Sequence, residues 1–288
     1  MCQNRFAARV LRVCNPGAKP ARVTHVKAIV KTHIVTPQKF GDFWTAAVPV
    51  IAALALLCGG GSTPFVHAQP AKPALKTVDL RWFFTKWGLP IKAQGRRDTC
   101  AVFTFTGALE FALARGTGEV GMRLSEEYLN WAADDITQIK FDGASYEDLI
   151  SAFDKWGISQ EKFLTYAARY DANTQPSQAA LESARQIWDL GFVRHWIAQR
   201  TSNGLKDAQI LEMRKVIAAG WPLCAYGRDH SILLVGFQDD PRMSGGGQFI
   251  TRNSATQRYE TIFYGAAKAE FGSVLWIELP GPKAAQSP

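Results

Sequence analysis

The sequence predicts an α+β fold in which helices come first and strands follow, rather than an alternation of the two. Residues 100–219 carry apolar side chains at helical spacing between capping residues, whereas residues 230–279 carry short apolar runs separated by turn residues. The chain has 288 residues, of which 47% are hydrophobic and 20% charged. This composition supports a sizeable core and excludes a disordered, collagen-like or polytopic membrane protein.

Cys100–Arg115 is the most apolar helical segment, and because it is apolar nearly all round we expect a buried central helix that Gly116 ends. Ser125 is the predicted N-cap of the next helix, with two glutamates in its first turn. Three further helical segments follow: Ser145 to Gly157, which begins with a capping-box-like pattern, Ser177–Gln199, and Lys206–Ala219.

Strands are predicted at His230–Phe237, Gln248–Asn253 and Val274–Leu279. The turn-rich residues 239–246 join the first two strands, which favours an antiparallel hairpin. In such a hairpin the start of the first strand lies opposite the end of the second. We therefore expect His230 to lie beside Asn253.

The N-terminal 68 residues are predicted to be a basic leader and signal peptide. An apolar run, Phe43–Cys58, follows the basic residues, and Val66-His67-Ala68 precedes Gln69 as a small-residue cleavage site. Sixteen residues broken by Pro49 are fewer than the roughly 20 needed to span a bilayer, so we expect no stable membrane span in the mature chain. The pattern predicts export to a periplasm or secretion, with an uncleaved anchor as the alternative.

Residues 69–77 are a predicted Pro/Ala/Lys linker, and residues 78–288 form the predicted folded domain. Of the formal net charge of +8, residues 1–43 contribute +7, so the rest of the chain is nearly neutral. A near-neutral domain without stacking motifs argues against a nucleic-acid partner. The predicted mature chain holds two cysteines and two histidines, far apart in sequence, so we expect neither a metal site nor a cofactor.

The candidate nucleophile is Cys100, because the first turn of a helix favours a thiolate. His230, oriented by the Asn253 amide, is the candidate general base. Gln94, six residues before the cysteine, could stabilise a developing oxyanion together with the Cys100 backbone N–H. Cys224 is assigned to core packing and His195 to a helix surface.

Several segments resemble the papain family of cysteine proteases. They occur in the same order as in that family and span Val78 to Leu279. These segments are Val78-Asp79 with Arg81, Pro90–Cys100 with Gln94 in it, Phe103 and Glu110, Leu124–Glu127, Gly143 followed by Trp156-Gly157-Ile158 and Glu161, Asp229-His230 before Leu234–Phe237, and Arg252-Asn253-Ser254. The resemblance implies a two-lobed papain-like fold, with a helical lobe, an antiparallel β lobe and a cleft between them. It also implies that Cys100, His230, Asn253 and Gln94 are catalytic.

The sequence departs from the family pattern at three places. Arg97 stands where the family has a disulfide cysteine, and Ala101 where it has a tryptophan. Ala255-Thr256 follows the asparagine motif, where a second tryptophan would shield the His–Asn hydrogen bond. We expect a more solvated bond and slower turnover. Between the predicted cleavage site and Gln94 lie 25 residues, too few for a conventional inhibitory pro-region.

The predicted activity is hydrolysis of peptide bonds in a peptide or protein substrate, by a monomer, through a Cys100 thioester. Gly143 and Asp229 are predicted to line the substrate cleft, and Arg96-Arg97 to be a solvated loop near it. Two alternatives remain open. One is a thiol-dependent amidase or transpeptidase acting on cell-wall or protein substrates, and the other is a papain-like binding module with little activity.

Overall fold

A computed structural model describes residues 76–280. The predicted leader and signal peptide, residues 1–68, and nearly all of the predicted linker lie outside these residues. Within the described part of the chain, no helix is both long enough and apolar enough to cross a bilayer.

Helices dominate the first part of the described chain and strands the last part, which confirms the α+β class, although β2 lies between two helices and α7 between two strands. The helices are α1 (Arg81–Lys86), α2 (Cys100–Thr117), α3 (Glu126–Thr137), α4 (Tyr146–Trp156), α5 (Gln178–Trp188), α6 (Asp207–Ala218) and α7 (Tyr264–Glu270). The strands are β1 (Thr77–Asp79), β2 (Val193–Ala198), β3 (Leu223–Tyr226), β4 (Ser231–Asp239), β5 (Gly247–Asn253), β6 (Arg258–Phe263) and β7 (Ser273–Glu278).

The seven strands form one antiparallel sheet in the order β2-β7-β3-β4-β5-β6, and β1 pairs with β4. Helix α2 is the central element, because it packs on β3, β4 and β7 and also contacts α3 and α4. Its residues from Cys100 to Ala114 are all buried, as its apolar composition predicts. The helical side of the molecule comprises α2 to α5, and the sheet side carries α6 against its strands.

The helix starts follow the capping residues of the sequence. The side chains of Ser125 and Ser145 accept hydrogen bonds from the backbone N–H groups of Tyr128 and Asp148. The end of α2 differs from the prediction. Gly116 lies within the helix, and Gly118 ends it with a left-handed φ of 76°.

The helix predicted at Ser177–Gln199 is wrong in its second half. Helix α5 ends at Trp188, Gly191 takes a left-handed φ of 82°, and Val193–Ala198 is strand β2. The ladder that β2 forms with β7, from Val193 opposite Glu278 onward, outweighs the local helical pattern. His195 therefore lies on a strand, where it stacks on Trp276, and not on a helix surface.

Candidate active site

The hairpin of β4 and β5 brings His230 and Asn253 together. Leu233 pairs with Arg252, so the residue before β4 lies at the end of β5. His230 Nε2 is 2.9 Å from Asn253 Oδ1, which is the pairing that the hairpin register predicted. Asn253 is only 7% exposed although no tryptophan follows it, so the asparagine side of this bond is less solvated than the sequence suggested.

The Asn253 amide has two further partners. Its Oδ1 accepts a hydrogen bond from the Ala255 backbone N–H at 3.0 Å, and its Nδ2 donates to Glu260 Oε2 at 2.9 Å. Glu260 belongs to β6, which follows a tight turn after Asn253. Glu260 was not predicted as a site residue, because the strand that carries it is polar and exposed and was itself not predicted.

Cys100 is the first residue of α2 and is 5% exposed. The N–H groups of a first helical turn have no partner within the helix, and together with the macrodipole they favour a negative charge on this thiol. In residues 76–280, Cys100 and Cys224 are both thiols. Cys224 is fully buried near the Thr104 carbonyl, where burial raises its pKa, as expected for a packing residue.

Tyr146, the first residue of α4, reaches the strand that follows His230. Its hydroxyl forms a hydrogen bond with Ser231 Oγ, one residue after His230. Burial raises the Tyr146 pKa well above its usual value, and the charges of Cys224 and Cys100 add to the effect. The phenol is therefore neutral. The sequence predicted that a helix begins at Ser145, next to Tyr146, but not the contact of the Tyr146 hydroxyl with Ser231.

Gln94 is buried and tied to the residue after Asn253. The Gln94 backbone N–H donates to the Ser254 carbonyl at 3.2 Å, and Ser254 Oγ donates to Gln94 Oε1 at 2.8 Å. The side-chain Nε2 donates to the Arg97 carbonyl at 3.0 Å. Nε2 carries two hydrogens, and this bond uses one of them. The structure thus links the loop before Cys100 to the end of β5.

Arg97 is buried, so the prediction of a solvated loop is wrong for this residue and holds for the exposed Arg96. Its guanidinium pairs with Glu127 and, at 2.9 Å, with Asp142, donates to the Ala167 carbonyl, and lies 4.4 Å from the centre of the Tyr166 ring. Burial acts to lower the Arg97 pKa, but the two carboxylates outweigh it and raise the pKa. A buried ion-pair cluster therefore stands where the resembled family has a disulfide cysteine.

Lys92 anchors the other end of the same loop. Its ammonium lies 2.8 Å from carboxylate oxygens of Glu110 and Glu126 and donates to the Leu124 carbonyl. Burial acts to lower the Lys92 pKa, but the two carboxylates outweigh it and raise the pKa. The segment between Lys92 and Cys100 is thus fixed at both ends by buried charges.

Gly143 and Asp229, the predicted cleft residues, occupy different environments. Gly143 has a φ of 110°, and its backbone N–H donates to Asn130 Oδ1 at 2.8 Å. A contact between Gly143 and a ligand would therefore have to use its carbonyl. Asp229 is exposed in the short loop that leads to His230.

A cavity of about 640 Å³ lies beside this loop. Gly227, one of its lining residues, donates its N–H to the His230 carbonyl at 2.9 Å. Three charged residues also line the cavity, namely Arg200, Arg228 and Glu270, and Arg200 is paired with Glu147. No sequence pattern predicted this cavity. Among residues 76–280, no cluster of three or more His, Cys, Asp or Glu could hold a metal ion.

The helical side and the antiparallel sheet together have the fold of the papain-like cysteine proteases. Three solved structures show this likeness. Digestive procathepsin L 3 from Tenebrio molitor larval midgut is 18% identical, with 75% of this chain and 73% of that chain covered and a TM-score of 0.52. Xylellain, a cysteine protease from Xylella fastidiosa, is 17% identical, with 71% and 86% covered and a TM-score of 0.54.

The third structure comes from work on the mite allergens Blo t 1 and Der p 1. It is 15% identical, with 76% of this chain and 75% of that chain covered and a TM-score of 0.50. No protein-family model and no curated protein sequence matches the chain. With identities of 18% or less, the likeness is one of fold.

Proposed function

We propose that this protein is a cysteine peptidase with Cys100 as nucleophile and His230 as general base and acid. The observation that carries the proposal is the 2.9 Å contact of His230 with Asn253 at the start of β4, the strand that packs on the helix that Cys100 begins. A histidine held by one ring nitrogen is oriented to exchange a proton through the other. The fold shared with xylellain and procathepsin L 3 supports the same activity.

In the proposed reaction the Cys100 thiolate attacks the carbonyl carbon of a peptide bond, and the imidazolium of His230 donates its proton to the leaving amine. The second hydrogen of Gln94 Nε2 and the Cys100 N–H are the groups that we assign to the oxyanion. Water then attacks the thioester while His230 takes its proton, and cleavage of the C–S bond releases the acid and restores the Cys100 thiolate and the His230 imidazolium. We assign the cavity lined by Gly227 and Arg228, in the loop that leads to His230, to a substrate side chain.

The sequence pattern of residues 1–68 supports export, and we propose that the mature protein acts in a periplasm or outside the cell as a monomer. Its substrate would then be a peptide or protein met after export. A cell-wall peptide would suit the alternative reading, in which an amine replaces water as acceptor of the thioester.

Incubation of the full chain with a diverse peptide library, with products read by mass spectrometry, tests the proposal. We expect cleaved peptides from the natural chain and none from Cys100→Ala. A second incubation with an added amine separates the reactions, because a transpeptidase would give amide products in place of acids. No turnover by the natural chain under either condition would contradict the proposal and favour a binding module.

A further inference from the structure

Glu260 has a contact that the proposed mechanism does not yet use. Its carboxylate accepts a hydrogen bond from Asn253 Nδ2 at 2.9 Å. The residue is exposed on β6, and within the described sheet β6 pairs with β5 alone. The side chain therefore adds little to the packing of the core, although it touches the residue that orients His230.

We infer that Glu260 is a positioning residue that fixes which end of the Asn253 amide faces His230; this inference rests on the proposed function. A carboxylate can only accept a hydrogen bond, and a backbone N–H can only donate one. Glu260 therefore requires the amide nitrogen on its side, while the Ala255 N–H requires the amide oxygen on its own side.

This orientation determines the tautomer of His230. Because Asn253 presents its oxygen to Nε2, the neutral ring has to carry its hydrogen on Nε2 and its lone pair on Nδ1. Nδ1 is then the nitrogen that takes and returns the proton of the nucleophile. An amide turned the other way would present hydrogens to Nε2 and favour the opposite tautomer, in which the lone pair faces Asn253.

The geometry of β6 explains why Glu260 can reach this position. Asn253 pairs with Arg258 and Thr251 with Glu260, so Glu260 and Asn253 lie diagonally on one face of the ladder. The tight turn of residues 254–257 occupies the place of the family's second tryptophan. A polar contact at the edge of the sheet thus orients the asparagine where the resembled family shields it with an aromatic ring.

Three substitutions at one position test the inference. Glu260→Gln keeps an acceptor for Asn253 Nδ2 and should retain kcat/KM within about twofold. Glu260→Ala removes the acceptor and should lower kcat by about fivefold with little change in KM. Glu260→Lys offers a donor only, which opposes the Asn253 nitrogen, and should lower kcat by about tenfold or more. Thr261→Lys, on the same exposed strand, is the matched control and should stay within about twofold.

A spectroscopic readout separates this inference from the proposed function. Nitrogen-15 NMR of the His230 ring, at a pH where it is neutral, should show the hydrogen on Nε2 in the natural chain and a shift toward the Nδ1-protonated form in Glu260→Lys. If the natural chain has no peptidase activity, the proposed function fails, and the NMR result still decides the role of Glu260. Unchanged tautomers in Glu260→Lys, or equal kcat in the Gln and Lys variants, would overturn the inference.

Discussion

Two regions of the molecule meet at the candidate site, and they are held in different ways. The segment from Lys92 to Cys100 is fixed by buried charges that come from α2, α3 and the loop before α4. The segment that carries His230 and Asn253 is fixed by the backbone ladder of β4, β5 and β6, with polar side-chain contacts at its edge. The first arrangement depends on a few strong interactions, and the second on many repeated ones.

This difference predicts different responses to substitution. A buried charge that loses its partner is left without solvent or a counter-ion, so the substitution lowers the stability of the whole fold. A side chain at an exposed strand edge can be changed without unfolding the ladder, so the substitution lowers the activity and not the stability. The Glu260 series tests the second region, and the following substitutions test the first.

Arg97→Ala should have the largest effect on stability. It leaves the buried Glu127 carboxylate without its guanidinium partner, and we expect the free energy of unfolding to fall by about 3–5 kcal/mol. Urea denaturation measures the change. Arg96→Ala is the matched control, because Arg96 is the adjacent and exposed arginine, and it should cost less than about 0.5 kcal/mol. An equal loss in the free energy of unfolding for the two variants would contradict the claim that the buried charges stabilise this region.

Gly143→Ala should have the next largest effect. A Cβ at this position would lie 2.3 Å from the Asp98 carbonyl oxygen, and the φ of 110° disfavours any side chain. We expect a loss of about 3 kcal/mol, together with a displaced carbonyl two residues before Cys100. Gly121→Ala is the control, with a φ of 74° and no atom within 4 Å of the added Cβ, and should cost about 1 kcal/mol. A Gly143 variant as stable as the control would show that the loop near Asp98 moves freely.

The sequence predicted the second region better than the first, because the contacts of the second region are closer together in the sequence. The pairing of His230 with Asn253 follows from a hairpin whose turn is local, and the starts of α3 and α4 follow from serine caps. The burial of Arg97 depends on carboxylates 30 and 45 residues away, which no local pattern reveals. Local pattern also failed where pairing with a distant strand decided the conformation, as in β2.

The missed contacts of the site have the same origin. Glu260 lies on a strand too polar to be recognised by alternation, and Tyr146 reaches Ser231 across 85 residues of sequence. Gln94 was found from its spacing to Cys100, but its ties to Ser254 and Arg97 were not. The types of the residues and their order in the sequence therefore indicated the candidate chemistry. The groups that hold those residues in place could be identified only from the folded structure.

The central claim is that His230 activates the Cys100 thiol, and alkylation by iodoacetamide at about pH 6 tests it most directly. An ordinary thiol, with a pKa near 8.5, is hardly ionised at this pH. Labels on the full chain are assigned to individual cysteines by peptide mass spectrometry. Cys224 serves as an internal reference that should stay unlabelled, because burial raises its pKa.

We predict rapid labelling of Cys100 in the natural chain and a rate at least about tenfold lower in His230→Ala. His195→Ala, which replaces a histidine stacked on Trp276 in β2, is the matched control and should label at the natural rate. Labelling of Cys100 at the same slow rate in the natural chain and in His230→Ala would contradict the claim.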